Sequence, residues 1–167
     1  MLELKGKGLI RSVGVSNFGV EHLEFIKKSG RPLPSVNQIE LHPWCLEKEI
    51  VNYCAANNIA LMAYSPLAKG LKMKDENVLK MSQKYRKTPA QILLRWSIDK
   101  NYITIPKSSN KQRMIENSKI FDFSLTKPEI ESLQKDGEIE TLYTAWNFPG
   151  LPQHPTKNPK KDFESAN

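Results

Sequence analysis

Cysteine is scarce in this chain. Cys45 and Cys54 are the only two in 167 residues, too few for a disulfide scaffold and without the C-x-x-C spacing of a zinc site. No group of His, Cys, Asp and Glu has ligand spacing, so no metal is expected. No apolar run approaches the ~18 residues that a membrane-spanning helix needs. The opening residues, Met1-Leu2-Glu3-Leu4-Lys5-Gly6-Lys7, contain no signal-peptide apolar core. Neither GxGxxG nor GxxxxGK[ST] follows any apolar run, so the dinucleotide fingerprint and the P-loop lack support. These absences together predict a reducing, cytoplasmic setting and no membrane partner.

What is present is ordinary globular composition, with 39% hydrophobic and 26% charged residues. The length suits one domain. Lysine and arginine number 25 against 18 acidic residues, a net charge of +7. That balance favours an anionic small ligand. It would also serve nucleic acid, but no basic helix, zinc finger or aromatic-basic motif accompanies it, and nucleic acid is not the expected partner. The basic residues are scattered, apart from Lys157, Lys160 and Lys161 near the C-terminus.

Four apolar runs have strand character: Ser12 to Phe18, Val36 to Leu41, Ile59 to Tyr64, and Tyr102 to Ile105. Helical patterns separate them. Leu23 and Ile26 follow the first run, and Ile50, Val51 and Cys54 the second. The stretch from Asp75 to Asp99 is divided by Thr88-Pro89-Ala90-Gln91, in which Thr88 caps, Pro89 suits the first turn and Gln91 completes a capping box. The pattern Ser109-Asn110-Lys111-Gln112 offers another box, with Met114, Ile115 and Ser118 as the inner face of its helix. A last helix begins at Thr126, with Glu129 reaching back and Leu125 stapled on Ile130. Residues 1–136 thus form the folded unit. Residues 137–167, rich in proline, read as an irregular tail.

Strands that alternate with helices form β-α units and a parallel sheet. Four units suit a small open sheet or part of a (β/α)8 barrel, which needs about 250 residues. Chemistry in such folds gathers where strands end. The ends here are Ser16-Asn17, Asn37-Gln38 with His42, Tyr64-Ser65-Pro66-Leu67, and Lys107-Ser108-Ser109. Ser16, Asn17 and Gln38 offer donors and acceptors for a planar carboxamide, or else the first two cap the next helix. Tyr64 offers a flat face for a ring. Lys107, Ser108 and Arg113 surround a helix N-terminus and would converge on an anion. Glu116 and Asn117 share a helix face with Arg113 and would meet an adenine edge.

The residues Gly8-Leu9-Ile10-Arg11-Ser12-Val13-Gly14-Val15-Ser16-Asn17-Phe18 resemble the aldo-keto reductase segment GxIRxIGVSNF. Asn37-Gln38-Ile39-Glu40-Leu41-His42-Pro43 resembles the NQxExHP strand of that family, and Ala63-Tyr64-Ser65-Pro66-Leu67 its AYSPL segment. Ile105-Pro106-Lys107-Ser108 with Arg113, Glu116 and Asn117 resembles IPKSxxxxRxxEN. Order and spacing agree from residue 8 to about 135.

The resemblance implies the last four units of a (β/α)8 barrel that uses NADPH to reduce aldehydes and ketones. It places Ser16, Asn17 and Gln38 on the nicotinamide carboxamide, and Tyr64 on the nicotinamide ring. Ser65 and Leu67 would touch the pyrophosphate. Lys107, Ser108 and Arg113 would hold the 2′-phosphate, and Glu116 and Asn117 the adenine. The Asp, Tyr, Lys and His tetrad of the family lies in its first half, and no position here matches it. No catalytic residue is therefore assigned, and His42 is structural or pocket-lining. Trp44, Trp146 and Phe148 are candidates for lining a substrate pocket or for packing. A chain of this kind reduces a small carbonyl substrate only when an N-terminal half completes it, and self-association through unpaired sheet edges is expected. Two other readings stay open: a non-catalytic half barrel that holds NADP(H), paired as a dimer, and a basic protein that binds nucleic acid or acidic partners.

Overall fold

The computed structural model describes residues 1–136. Its order is α1 (Leu2–Gly6), β1 (Val15–Ser16), α2 (Val20–Lys28), β2 (Val36–Glu40), α3 (Lys48–Ala56) and β3 (Ala60–Tyr64). There follow a 3-10 turn (Ala68–Gly70), α4 (Glu76–Tyr85), α5 (Pro89–Asp99), β4 (Ile103–Thr104), α6 (Lys111–Ser118) and α7 (Lys127–Leu133). The four strands form one parallel sheet in the order β1-β2-β3-β4. Every crossover steps in the same direction. Right-handed connections therefore put the crossover helices on one face and, among the described residues, leave the other without a crossover helix. That is the geometry of half a barrel wall.

Alternation along the strands follows this asymmetry. Asn37, Ile39, Leu61 and Ala63 face the helices and are buried, whereas Gln38, Met62 and Tyr64 on the other face are only half-buried. The core lies between sheet and helices, where Ile39, Leu61 and Ala63 meet Leu23, Ile50, Cys54, Ile92, Leu93 and Trp96.

Two of the expected strands are shorter than the apolar runs. β1 and β4 each pair on one side only, so the ladder thins toward their ends. Pairing continues past β1 through the Ser35 N–H to the Val13 carbonyl at 2.9 Å, and past β4 through the Ile105 N–H to the Ala63 carbonyl at 3.2 Å.

The caps are mostly those that the residue types dictate. Thr88 Oγ1 accepts from the Gln91 N–H, the Gln91 side chain accepts from the Thr88 N–H, and Pro89 opens α5. Glu129 Oε2 accepts from both the N–H and the hydroxyl of Thr126, 2.8 Å each, to start α7. Asp75 starts α4 by accepting from the Asn77 and Val78 N–H groups.

Three expectations are corrected. Asn110, not Ser109, caps α6, because its Oδ1 lies 3.0 Å from the Arg113 N–H. Met114 and Ile115 are not an inner face: they are 49% and 41% exposed, and α6 buries no residue. Polar bonds hold this helix instead, the Gln91 amide donating to the Glu116 and Lys119 carbonyls. Finally, Ser16 and Asn17 do not cap α2. The cap is Gly19, whose N–H donates to His22 Nδ1 at 3.1 Å.

Candidate functional site

In a parallel sheet all strands end at one edge, and the polar tips therefore gather there. Ser16 pairs in register with Gln38, Gln38 with Met62, and Met62 with Ile103, so these four form one row across the helix-free face. Tyr64 lies two residues beyond Met62, on the same face, in register with Glu40. Ser16, Gln38 and Tyr64 thus open on a common side, as the carboxamide-and-ring expectation requires.

Short bonds organise the row. The Gln38 carbonyl accepts from both the Asn17 N–H (2.9 Å) and the Ser16 hydroxyl (3.1 Å). Asn17 Nδ2 donates to Ser16 Oγ at 2.9 Å, and Gln38 Nε2 to Met62 Sδ at 3.1 Å. The amide oxygens of Asn17 and Gln38 accept no hydrogen bond among the described residues. They remain available to a carboxamide NH2, and the Ser16 oxygen keeps a free lone pair.

The strand ends are also where the backbone is strained. Asn17 (φ 60°) and Ser65 (φ 47°) each follow the last residue of a strand and sit in the left-handed region, as do Ala68 (φ 47°) and Lys69 (φ 53°). Each such non-glycine residue costs on the order of 1 kcal/mol and is enriched at functional sites. The turn after β3 is tied by the Ala68 N–H to the Ser65 carbonyl at 2.8 Å. Ser65 and Leu67 are half-buried there, with Leu67 packed on the core.

Beyond β4 the chain leads to an electropositive corner. Lys107 and Arg113 are exposed and make no ion pair among the described residues. Lys84, Lys87, Arg95 and Lys135, by contrast, are committed to Glu129, Asp122, Asp99 and Asp75. Ser108 Oγ accepts from the Asn110 N–H at 3.2 Å, which bends the loop onto the α6 N-terminus. Two unspent cations beside open helical N–H groups suit a phosphate. Asn117 is half-buried on the same helix. Glu116 is partly engaged elsewhere, its Oε1 accepting from Thr88 Oγ1 at 2.7 Å.

Trp44 is fully buried, with Lys72 Nζ 5.9 Å from its ring centroid. Trp146 and Phe148 lie outside the described residues. His42 is also fully buried. Its Nδ1 accepts from the Trp44 N–H at 3.3 Å, and its Nε2 lies 3.4 Å from Glu40 Oε1. Burial raises the Cys45 thiol pKa, helped by Glu47 and Glu40, which disfavours the thiolate there. Among the described residues no helix is long and apolar enough to cross a membrane, and no acidic, histidine or cysteine group could hold a metal.

The sequence alone missed two arrangements: the buried Glu40–His42 pair, and the grip of Asn37 on Phe18. Alternation along β2 could have signalled the second, since Asn37 occupies an inward position.

The model of the Aldo/keto reductase family matches residues 1–137. The chain is 42% identical over 135 residues to a glyoxal reductase of Bacillus subtilis, covering 79% of this chain and 49% of that protein. It is 40% identical over 137 residues to a methylglyoxal reductase of Escherichia coli, covering 81% and 50%. A solved aldo-keto reductase from a deep-sea metagenome library superposes with a TM-score of 0.80 at 34% identity, covering 87% of this chain and 55% of that one. A point mutant of Gox0644 in complex with NADPH superposes at 0.77 with 39% identity, covering 80% and 51%. The chain spans about half the length of these relatives.

Proposed function

Because the chain belongs to the aldo/keto reductase family, we propose that its sheet is the NADPH-binding half of a barrel that reduces aldehydes and ketones. The observation that carries this reading is the in-register row of Ser16 and Gln38, with Tyr64 one step further on the same face. Support from relatives lies in the reductases of small dicarbonyls and in a structure that contains NADPH.

The residues present fit the cofactor. The Ser16 hydroxyl and the Asn17 and Gln38 amides would hold the carboxamide and fix the ring's rotation. Tyr64 would cover one face of the ring and leave the other toward substrate. Ser65 and Leu67 would line the pyrophosphate. Lys107, Ser108 and Arg113 would grip the 2′-phosphate, and Glu116 with Asn117 the adenine. NADPH, when bound, supplies hydride to the carbonyl carbon.

The carbonyl oxygen then needs a proton. A positioned general acid contributes about 10²–10⁴-fold. None of the residues assigned here is that acid, so the described half binds and orients while proton delivery comes from strands that close the barrel. Fluorescence titration of the folded chain with NADPH tests the reading. Saturable binding is expected; absence of binding at about millimolar cofactor, far weaker than ordinary cofactor affinities, overturns it.

A further inference from the structure

We propose that Asn37, which faces away from the cofactor side, is the positioning residue that sets the carboxamide-binding turn, by gripping the backbone of Phe18 at both of its polar groups. The proposal rests on the assignment of Ser16, Asn17 and Gln38 given above. The Phe18 N–H donates to Asn37 Oδ1 at 3.3 Å, and Asn37 Nδ2 donates to the Phe18 carbonyl at 2.7 Å. Asn37 is fully buried, on the helix side of β2, beside the Cys54 side chain. An amide at such a place is unfavourable unless both of its ends are bonded. A leucine of similar volume would fill the space, but only an amide can satisfy the donor and the acceptor of one backbone residue.

What is gripped gives the pair its meaning. Phe18 follows Ser16 and Asn17, at the point where β1 has ended and Asn17 has turned into the left-handed region (φ 60°). β2 continues beside this turn to Glu40, and the Asn37 side chain ties the chain to it at Phe18. Consecutive residues of β2 thus act on the same turn from opposite faces. The Gln38 carbonyl holds the Asn17 N–H and the Ser16 hydroxyl, while Asn37 holds the next residue from below. Past the grip, the Gly19 N–H bonded to His22 Nδ1 passes the chain into α2.

The test compares two ligands on the full chain: NADPH, and 2′-phospho-ADP-ribose, which lacks the nicotinamide. Asn37→Leu, checked for folding by circular dichroism, is expected to weaken NADPH about tenfold, the scale of one misplaced hydrogen-bonding contact, and to leave 2′-phospho-ADP-ribose within about twofold. Equal weakening of both ligands, or of neither, overturns the role of Asn37 while leaving the cofactor assignment standing. If the unmodified chain binds NADPH no better than 2′-phospho-ADP-ribose, the carboxamide assignment fails, and the Asn37 proposal with it. Should the leucine variant not fold, Asn37→Ser takes its place under the same criteria. Amide exchange in the unmodified chain reads the grip directly. The Phe18 N–H is expected to exchange as slowly as that of Asn17, and exchange at the rate of an open loop would overturn the proposal.

Discussion

The Thr88 hydroxyl donates to Glu116 at 2.7 Å while it accepts from the Gln91 N–H, so the cap of α5 is bonded to the helix that carries Arg113. Gln91 strengthens the same junction through the Glu116 and Lys119 carbonyls. α6 is therefore held by polar bonds at its flank and not by an apolar stripe. Glu116→Ala is expected to lower unfolding stability by about 1 kcal/mol, and Glu116→Gln, which keeps the acceptor, by less than half of that. Urea denaturation followed by circular dichroism measures both, and equal losses would show that the hydroxyl bond contributes nothing specific.

Arg113 is exposed and unpaired among the described residues, which leaves its charge for a ligand. Arg113→Ala is expected to weaken NADPH by roughly 1.5 kcal/mol, about tenfold, with little change for NADH. Calorimetric titration with the two cofactors decides this. Matched losses would mean that Arg113 does not read the 2′-phosphate.

Glu129 gives the fold an acid limit. Burial works to raise its pKa, but hydrogen bonds from Lys84, Tyr85 and Thr126 prevail and pull it from 4.5 to about 2. A carboxyl whose folded pKa lies below its unfolded one stabilises the fold above the unfolded value. Its contribution is complete above pH 4.5 and disappears as the pH falls toward about 2. Stability of the parent chain is expected to drop across that window more steeply than that of Glu129→Gln. Parallel slopes would exclude Glu129 as the responsible group.

Leu93 and Trp96 are fully buried, and the Trp96 indole also donates to the Ile130 carbonyl at 3.3 Å, joining α5 to α7. Leu93→Ala is expected to cost about 2–5 kcal/mol through lost transfer energy and a cavity. Trp96→Phe is expected to cost about 1–3 kcal/mol, partly from the orphaned carbonyl. Chemical denaturation measures each. A loss under about 0.5 kcal/mol for Leu93→Ala, the range of surface substitutions, would mean that the core is not packed as described.

β1 and β4 are the outer strands of the sheet among the described residues, and Ile103 on β4 is 43% exposed. The folded chain is expected to self-associate with rising concentration in sedimentation velocity. Ile103→Lys is expected to weaken that association by about fivefold or more, because a charged edge resists pairing. Unchanged sedimentation would place the association elsewhere.

Much of this was legible before any coordinates. The capping boxes at Thr88 and Thr126 depend on side chains reaching backbone groups three residues away, a relation that sequence spacing states directly. Ser16, Gln38 and Tyr64 were legible as strand tips because apolar runs broke off beside polar residues. The inner face assigned to Met114 and Ile115 was not sound, because an apolar stripe shows only that a helix has a side to cover, not that anything lies against it. Asn37 was passed over for a related reason. Alternation along β2 marks Asn37 as an inward polar residue that needs a partner, but the partner, Phe18, lies nineteen residues earlier and no local pattern names it.

The order of residues by itself determined the alternation of strands and helices, the caps, and which residue types stand at each strand tip, since these follow from interactions within a turn or two of chain. Only the tertiary structure decided that the tips share one face, that Lys84, Lys87, Arg95 and Lys135 meet carboxylates while Lys107 and Arg113 make no ion pair among the described residues, and that β1 and β4 are the outer strands of the described sheet. Those outcomes depend on strand register and on which distant side chains meet, and both are set when the sheet and its helices pack.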